Sequence, residues 1–180
     1  IAGARLTLAS PYLLSIAGLV FAYEIVSNIV DYQFNTAVAG RYTAAAAMAA
    51  FLGRFSTASS GVSLLVQLGL TSWILGHWGP RVGLLVLPLV LGLGSAGYVV
   101  EPLFAVVAAT FLGDAALGYS LNQTTKEVLY TPTDEATKYQ AKAFIDMFLM
   151  RLAKAVSSLI ILACMAWWLP NGEAAYRLGA

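Results

Sequence analysis

Long apolar runs dominate the chain, and short segments rich in charge, glycine or proline separate them. Runs without Asp, Glu, Lys or Arg include residues 6–23, 55–80, 82–100, 102–113, 115–125 and 155–172. A helix that spans a membrane needs about 20 mostly apolar residues, because lipid offers no partners for backbone N–H and C=O groups. Joining the runs across isolated charges predicts five helices in one transmembrane domain over 1–180, at approximately 11–35, 44–76, 82–99, 102–129 and 137–169. We therefore expect an all-α integral membrane fold.

The composition agrees with this prediction. Hydrophobic residues make up 59% of the chain and charged residues only 11%, against about 25% charged in soluble domains. Such a chain cannot cover a soluble surface with polar groups, and its net charge of +1 gives no reason to expect a nucleic-acid partner. Cys164 is the single cysteine and His77 the single histidine, so the sequence predicts no disulfide, no metal site and no cofactor.

The chain begins at Ile1 and ends at Ala180, and we expect it to be a fragment of a larger protein. Five helices and one returning helix would form a 3+3 unit, which is half of many secondary transporters. The loop cations favour one orientation, because cytoplasmic loops carry an excess of Lys and Arg. The predicted cytoplasmic cations are Arg5, Arg81, Lys126, Lys138 and Lys142, and those on the other side are Arg41 and Arg177.

Polar side chains occur inside the first and the fourth predicted spans. Glu24, Asn28 and Asp31 follow one another at spacings of four and three, which places them on one face of the first helix. Charged groups at membrane depth are costly and usually face a cavity or a partner. These residues therefore predict either the wall of a polar pathway, with proton coupling as an option, or a buried contact with Arg54. Asp114 in the fourth helix has the same two interpretations, cavity lining or structure.

Arg54 lies at the start of a small polar stretch in the second helix, which continues with Ser56, Thr57, Ser59 and Ser60. The stretch predicts either a cavity wall or a loosened helix. Guanidinium groups suit bidentate contacts with phosphate or carboxylate. Arg54 is therefore a candidate substrate ligand, and neutralisation of Glu24 or Asp31 is the alternative.

The segment 76–83, GHWGPRVG, resembles the loop signature of the major facilitator superfamily, in which Gly-x-x-x-Asp-Arg-x-Gly joins two helices. Arg81 and Gly83 fit the pattern, and Pro80 stands where the acidic residue is expected. The resemblance implies a gating role for Arg81 and Gly83.

Half of the ten basic residues lie between 124 and 158, at Lys126, Lys138, Lys142, Arg151 and Lys154. The first turns of the fifth predicted helix carry Lys138, Lys142 and Asp146 at successive spacings of four, which places them on one face of that helix. Arg151 and Lys154 lie deeper, where unpaired cations are not tolerated in lipid. Asp146 alone cannot neutralise them all. The segment therefore predicts an anionic substrate, and phosphates fit especially well; an internal Arg151–Asp146 pair is the alternative.

The run Thr125-Lys126-Glu127-Val128-Leu129-Tyr130-Thr131-Pro132-Thr133-Asp134 and the residues after it resemble the ATP/ADP translocases of plastids and obligate intracellular bacteria. The matching later residues are Lys138, Ala141-Lys142-Ala143, Ile145-Asp146 and Arg151-Leu152-Ala153-Lys154. Thr131, Thr133 and Ala153 depart from the family pattern, in which aliphatic residues surround the proline and glycine precedes the last lysine. We therefore expect a divergent member.

The resemblance implies a twelve-helix, major-facilitator-like transporter of which this chain is helices seven to eleven. It implies exchange of ATP for ADP, or of a related phosphorylated anion, in a bacterial inner membrane, with the substrate between this half and a missing N-terminal six-helix half. In this interpretation Arg54, Lys126, Lys138, Lys142, Arg151 and Lys154 bind substrate. The charge-pairing or coupling residues are Glu24, Asn28, Asp31, Asp114 and Asp146.

Three alternatives remain open at this point. A proton-coupled transporter of another organic anion is compatible with Glu24, and a transporter-like sensor domain is compatible with the fold. An integral membrane enzyme would need a nucleophile–base pair, which this sequence does not offer. The chain also has no G-x-x-x-x-G-K-[ST] loop for nucleotide hydrolysis. We therefore expect a transporter and not an enzyme.

Overall fold

The computed structural model describes residues 2–100, 103–118, 127 and 135–168, and this part of the chain is helical apart from short connections. The helices are α1 (Ala2–Ala9), α2 (Pro11–Arg41), α3 (Ala45–Leu65), α4 (Thr71–Val100), α5 (Phe104–Leu117), α6 (Glu135–Phe144) and α7 (Met150–Trp168). Two π-helical turns, Val66–Leu70 and Ile145–Leu149, join α3 to α4 and α6 to α7.

The central helix is α2, which packs against α1, α4, α5 and α7. Ser10 fixes its start: the backbone of Ser10 is extended, its hydroxyl accepts a hydrogen bond from the Leu13 N–H at 3.4 Å, and Pro11 follows. Proline is favoured in the first turn because its missing N–H would have no partner there. This cap also separates the short helix α1 from α2, which the sequence analysis did not predict.

Three described helical segments are long and apolar enough to cross a membrane: Pro11–Arg41, Ala45–Gly69 and Tyr139–Ala166. Leu87–Tyr98 and Phe104–Leu117 are shorter apolar helices. Only 6% of the apolar window in Ala45–Gly69 is buried inside the described chain, so most of this helix surface is available to lipid or to another part of the protein. These observations confirm the all-α membrane fold.

The apolar core consists of three clusters along α2. Leu13, Ile16 and Val20 pack with Ile145 near the start of the helix. Val30 packs with Leu87 and Leu91 of α4, and Phe34 and Val38 pack with Tyr98 and Val107. Between Val20 and Val30, α2 adds only partly buried residues such as Val26 to these clusters, and this interval contains Glu24 and Asn28.

The helix boundaries differ from the predicted ones at the π-helical turns. Regular α-helix ends at Leu65 and not near 76, and the last helix is interrupted at Ile145–Leu149. A π-turn preserves helical direction and apolar composition, so hydropathy does not reveal it. The chain leaves helical geometry at Gly79, where φ is 75° and ψ is 173°. Glycine adopts this positive φ without a steric penalty, and Pro80 follows it.

Candidate functional site

A polar layer crosses the bundle at the middle of α2. It involves α5 on one side of α2 and α7 on the other, and it lies between the apolar clusters described above. Glu24 is buried and Asp31 is exposed. The face of α2 that carries both residues therefore runs from the interior of the described chain to its surface. The layer is thus accessible from one side.

The carboxylate of Asp114 is buried between α5 and α2. It accepts a hydrogen bond from the Tyr23 hydroxyl at 2.9 Å and another from the Ser27 hydroxyl at 2.5 Å. These are charge-assisted bonds, which offset the cost of burying a carboxylate. Gly118 permits this arrangement, because a Cβ there would lie 2.5 Å from the Tyr23 oxygen. The partners of Asp114 are hydroxyl groups and not the cations proposed from the sequence.

On the opposite side of the layer, α2 is bonded to α7. The Asn28 amide donates to the Ser157 hydroxyl, which in turn donates to the backbone carbonyl of Lys154 at 2.9 Å. Ser157 is fully buried. One turn further along, the Tyr32 hydroxyl donates to the sulfur of Met165 at 3.3 Å. These contacts fix the register of α7 on α2, and Tyr23, Ser27 and Ser157 are site residues that sequence reasoning did not find.

The deep cations of α7 are exposed. Within the described residues, neither Arg151 nor Lys154 forms an ion pair. The positive charge of Lys154 acts on Asp31, which also feels the negative charge of Asp114. Asp146 lies in the π-turn Ile145–Leu149 and has no ion pair with Arg151. A π-turn adds one residue to a helical turn. The side chains of α7 are therefore rotated by about 100° about the helix axis, relative to the face that an uninterrupted helix would share with Lys138 and Lys142.

Arg54 is not brought together with the cations of α7. It is exposed on α3, which packs on α5, whereas α7 packs on α2. In the described chain no ion pair joins Arg54 to Glu24 or Asp31. The predicted neutralising contact is therefore not present in this structure.

The remaining predicted residues lie near or beyond the limits of the described chain. Lys142 pairs with Glu127, and both side chains are partly exposed. The backbone of Lys138 belongs to α6, and the backbones of Arg81 and Gly83 belong to α4. The side chains of Lys138 and Arg81 lie outside the described part, as does all of Lys126. In the described residues, no three His, Cys, Asp or Glu side chains are grouped to hold a metal ion.

The small polar stretch of α3 lines a cavity of about 700 Å³ between α2, α3 and α5. Four hydroxyl groups form one wall, those of Ser56, Ser59, Ser60 and Ser63. These positions recur at intervals of three and four, so they share one face of α3. The π-turn Val66–Leu70 follows this stretch directly.

Comparison with known proteins gives one consistent result. The family model for the TLC ATP/ADP transporter matches residues 2–116 and 99–168. The chain is 28% identical to the plastidic ATP/ADP-transporter of Solanum tuberosum, over 87% of this chain and 28% of that protein. It is 29% identical to ADP,ATP carrier protein 1 of Chlamydia trachomatis serovar D, over 85% of this chain and 33% of that protein.

The chain thus spans a third or less of the length of these curated relatives. No solved structure gives a significant match. The family model covers nearly all of the described residues, including the polar layer, the cavity wall and α7. This chain belongs to the TLC ATP/ADP transporter family.

Proposed function

We propose that the protein to which this chain contributes exchanges ATP for ADP, or a related phosphorylated anion, across a membrane by alternating access. Family membership supports the reaction class, since the curated relatives are named as ATP/ADP transporters or carriers. Exchange requires no bond to be made or broken in the nucleotide. The proposed protein is therefore a transporter and not a hydrolase, and the relatives' names do not favour a sensor or a proton-coupled carrier.

The observation that carries this proposal is the pair of exposed cations on α7. Arg151 and Lys154 lie on a helix that is apolar enough to span a membrane, and in the described chain they have no ion-pair partner. Unpaired cations at membrane depth are costly unless an anion or water meets them. A phosphate group offers several acceptor oxygens and can bind both guanidinium and ammonium groups.

The neighbouring acids have a supporting role in this proposal. Asp31 lies within the field of Lys154 and would hold that ammonium group in place when no substrate is bound. Asn28 and Ser157 keep α7 in register on α2. When a phosphate arrives, it competes with Asp31 for Lys154, so the cation need not be left without a partner in either state.

We further propose that the chain corresponds to helices seven to eleven of a twelve-helix, major-facilitator-like protein. The large exposed surface of α3 and the exposed cations of α7 would then face an N-terminal six-helix half across the substrate pathway. We place the protein in a bacterial inner membrane. The relatives occur in both Chlamydia and chloroplasts, so localisation of the full-length protein tests this part separately.

Uptake of labelled ATP into proteoliposomes that contain the full-length protein tests the proposed function. Uptake should depend on internal ADP. Arg151→Ala and Lys154→Ala should each raise the KM for ATP about tenfold or more, because a hydrogen bond to a charged group contributes about 1.5–3 kcal/mol. Arg5→Ala removes an exposed cation from α1 and is the matched control; its KM should not change.

Two results would reject parts of the proposal. If a correctly inserted, folded protein takes up no ATP in exchange for ADP, nucleotide exchange is wrong for this member. If exchange occurs but both α7 variants behave like Arg5→Ala, the activity stands and the phosphate site lies elsewhere.

A further inference from the structure

The cavity between α2, α3 and α5 contains polar groups that have no partner in the described protein. Ser59 is 6% exposed, and its hydroxyl forms no hydrogen bond within the described chain. The hydroxyls of Ser56 and Ser60 and the amide of Gln67 also line the cavity and form no hydrogen bond within the described chain, and these three residues are exposed. Polar groups with unused hydrogen-bonding capacity that converge on one cavity are available to a ligand.

Part of the cavity lining is aromatic. Phe34 stacks on Phe111 with ring centroids 4.2 Å apart and an interplanar angle of 17°. Phe55 lies 4.9 Å from Phe34, centroid to centroid, and all three residues line the cavity. Aromatic faces favour flat rings, which bind by offset stacking or edge contact. No charged side chain is among the described residues that line this space.

These features select the chemistry of the ligand. A volume of about 700 Å³ lies within the range of small-molecule sites, roughly 300–1,000 Å³. Hydroxyl and amide groups both donate and accept hydrogen bonds, and the walls provide no countercharge for a phosphate. The cavity therefore suits a flat, uncharged heterocycle with donors and acceptors on its edge, which describes a nucleobase.

The cavity and α7 both lie against the middle of α2. Asn35 lines the cavity, and Asn28 and Tyr32 of the same helix contact α7. The charge of Lys154 acts on Asp31, one turn before Asn35. In this arrangement one end of a bound nucleotide would lie in the cavity and its phosphates would lie toward α7. Arg54 is excluded from this arrangement, since the helical period places it on the side of α3 opposite the serine wall.

We propose that this cavity is the subsite for the base of the transported nucleotide, with Ser59, Ser60 and Gln67 reading its edge and the partly exposed rings of Phe55 and Phe111 contacting its face. The proposal rests on the proposed nucleotide exchange. It adds a location for base recognition that is separate from the phosphate-binding cations.

The test uses full-length protein in proteoliposomes and measures how ATP and UTP inhibit the uptake of labelled ADP. Ser59→Ala removes one hydroxyl, and Ser60→Leu fills the cavity from an exposed position. Thr57→Leu is the control, because Thr57 does not line the cavity and its hydroxyl bonds to its own helix at Gly53. Inorganic triphosphate, which has no base, serves as a second inhibitor.

We expect wild-type protein to discriminate between ATP and UTP, Ser59→Ala to reduce that ratio about threefold or more, and Ser60→Leu to raise the inhibition constant of ATP at least tenfold. Thr57→Leu should match the wild type, and none of the variants should alter inhibition by triphosphate. Unchanged nucleotide constants in both serine variants would overturn the proposal, as would equal changes for triphosphate or a wild type that does not discriminate between the bases. Absence of any ADP uptake by the wild type would instead reject nucleotide exchange itself.

Discussion

The contact between α4 and α5 allows a stability prediction whose size follows from the geometry. A Cβ at Gly94 would lie 2.2 Å from Oγ1 of Thr110, 2.6 Å from its Cγ2 and 2.9 Å from its Cβ. Thr110 is buried, and its hydroxyl donates to the Val106 carbonyl at 2.8 Å. The side chain therefore cannot turn away without losing that bond, and the helices must separate by several tenths of an ångström if Gly94 becomes alanine.

The expected magnitude has two parts. Overpacking of this kind costs about 1–3 kcal/mol, while replacing glycine by alanine inside a helix gains about 0.5–1 kcal/mol. Gly92 lies on the same helix and a Cβ there meets no atom within 4 Å, so Gly92→Ala keeps the gain without the clash. The free energy of unfolding of Gly94→Ala should therefore be lower than that of Gly92→Ala by about 1–3 kcal/mol.

The assay is reversible unfolding of the full-length protein in mixed micelles, followed by far-ultraviolet circular dichroism as the fraction of denaturing detergent rises. Adding Thr110→Ala to Gly94→Ala removes the two closest atoms and should recover at least about 0.5 kcal/mol beyond additivity. Equal stability of Gly94→Ala and Gly92→Ala would refute the close approach of α4 and α5. It would also weaken the placement of Asp114, which lies one turn beyond Thr110 on α5.

Two further predictions concern polar contacts and use the same unfolding assay. Tyr23→Phe should lower the free energy of unfolding by about 0.6 kcal/mol and by no more than about 1.7 kcal/mol, the average and the maximum for hydrogen bonds between membrane helices. The same change should have a smaller effect in an Asp114→Leu background, and equal effects would contradict the bond. The Lys142–Glu127 pair, whose side chains are 30% and 42% exposed, should contribute only about 0–1 kcal/mol. Exchanging its two residues should preserve that contribution, and a larger loss would show that one of them has another partner.

Hydropathy predicted the spanning segments because the constraint on them is simple: lipid cannot satisfy backbone groups, so apolar runs of sufficient length become helices. It did not predict α1, since the apolar run 6–23 contains no charge to mark the boundary; the only local signal is the cap sequence Ser10-Pro11. Neither π-turn was predicted. Whether a backbone N–H bonds to the carbonyl four or five residues earlier depends on tertiary packing. The hydrophobic pattern of the sequence carries no information about that packing.

The site was predicted unevenly for a similar reason. Asp114 and Glu24 stand out because carboxylates are rare in apolar helices. Their partners do not stand out, since tyrosine and serine are common throughout such helices and only the tertiary fold assigns Tyr23 to Asp114. The predicted substrate roles of Arg151 and Lys154 stay predictions, but their exposure without an ion pair in the described chain keeps these residues available for the role.

The partners of Asp114 explain how the two sides of α2 can differ in charge. Had Asp114 paired with Lys154, an arriving phosphate would have to break that ion pair and leave the buried carboxylate of Asp114 without its partner, which is costly. Tyr23 and Ser27 instead satisfy the carboxylate with neutral donors. Asp114 is thereby satisfied without a cation, and Asp31 feels the negative charge of Asp114 as well as the positive charge of Lys154. In the proposed exchange, an arriving phosphate would therefore meet in Lys154 a cation that has no ion-pair partner within the described chain.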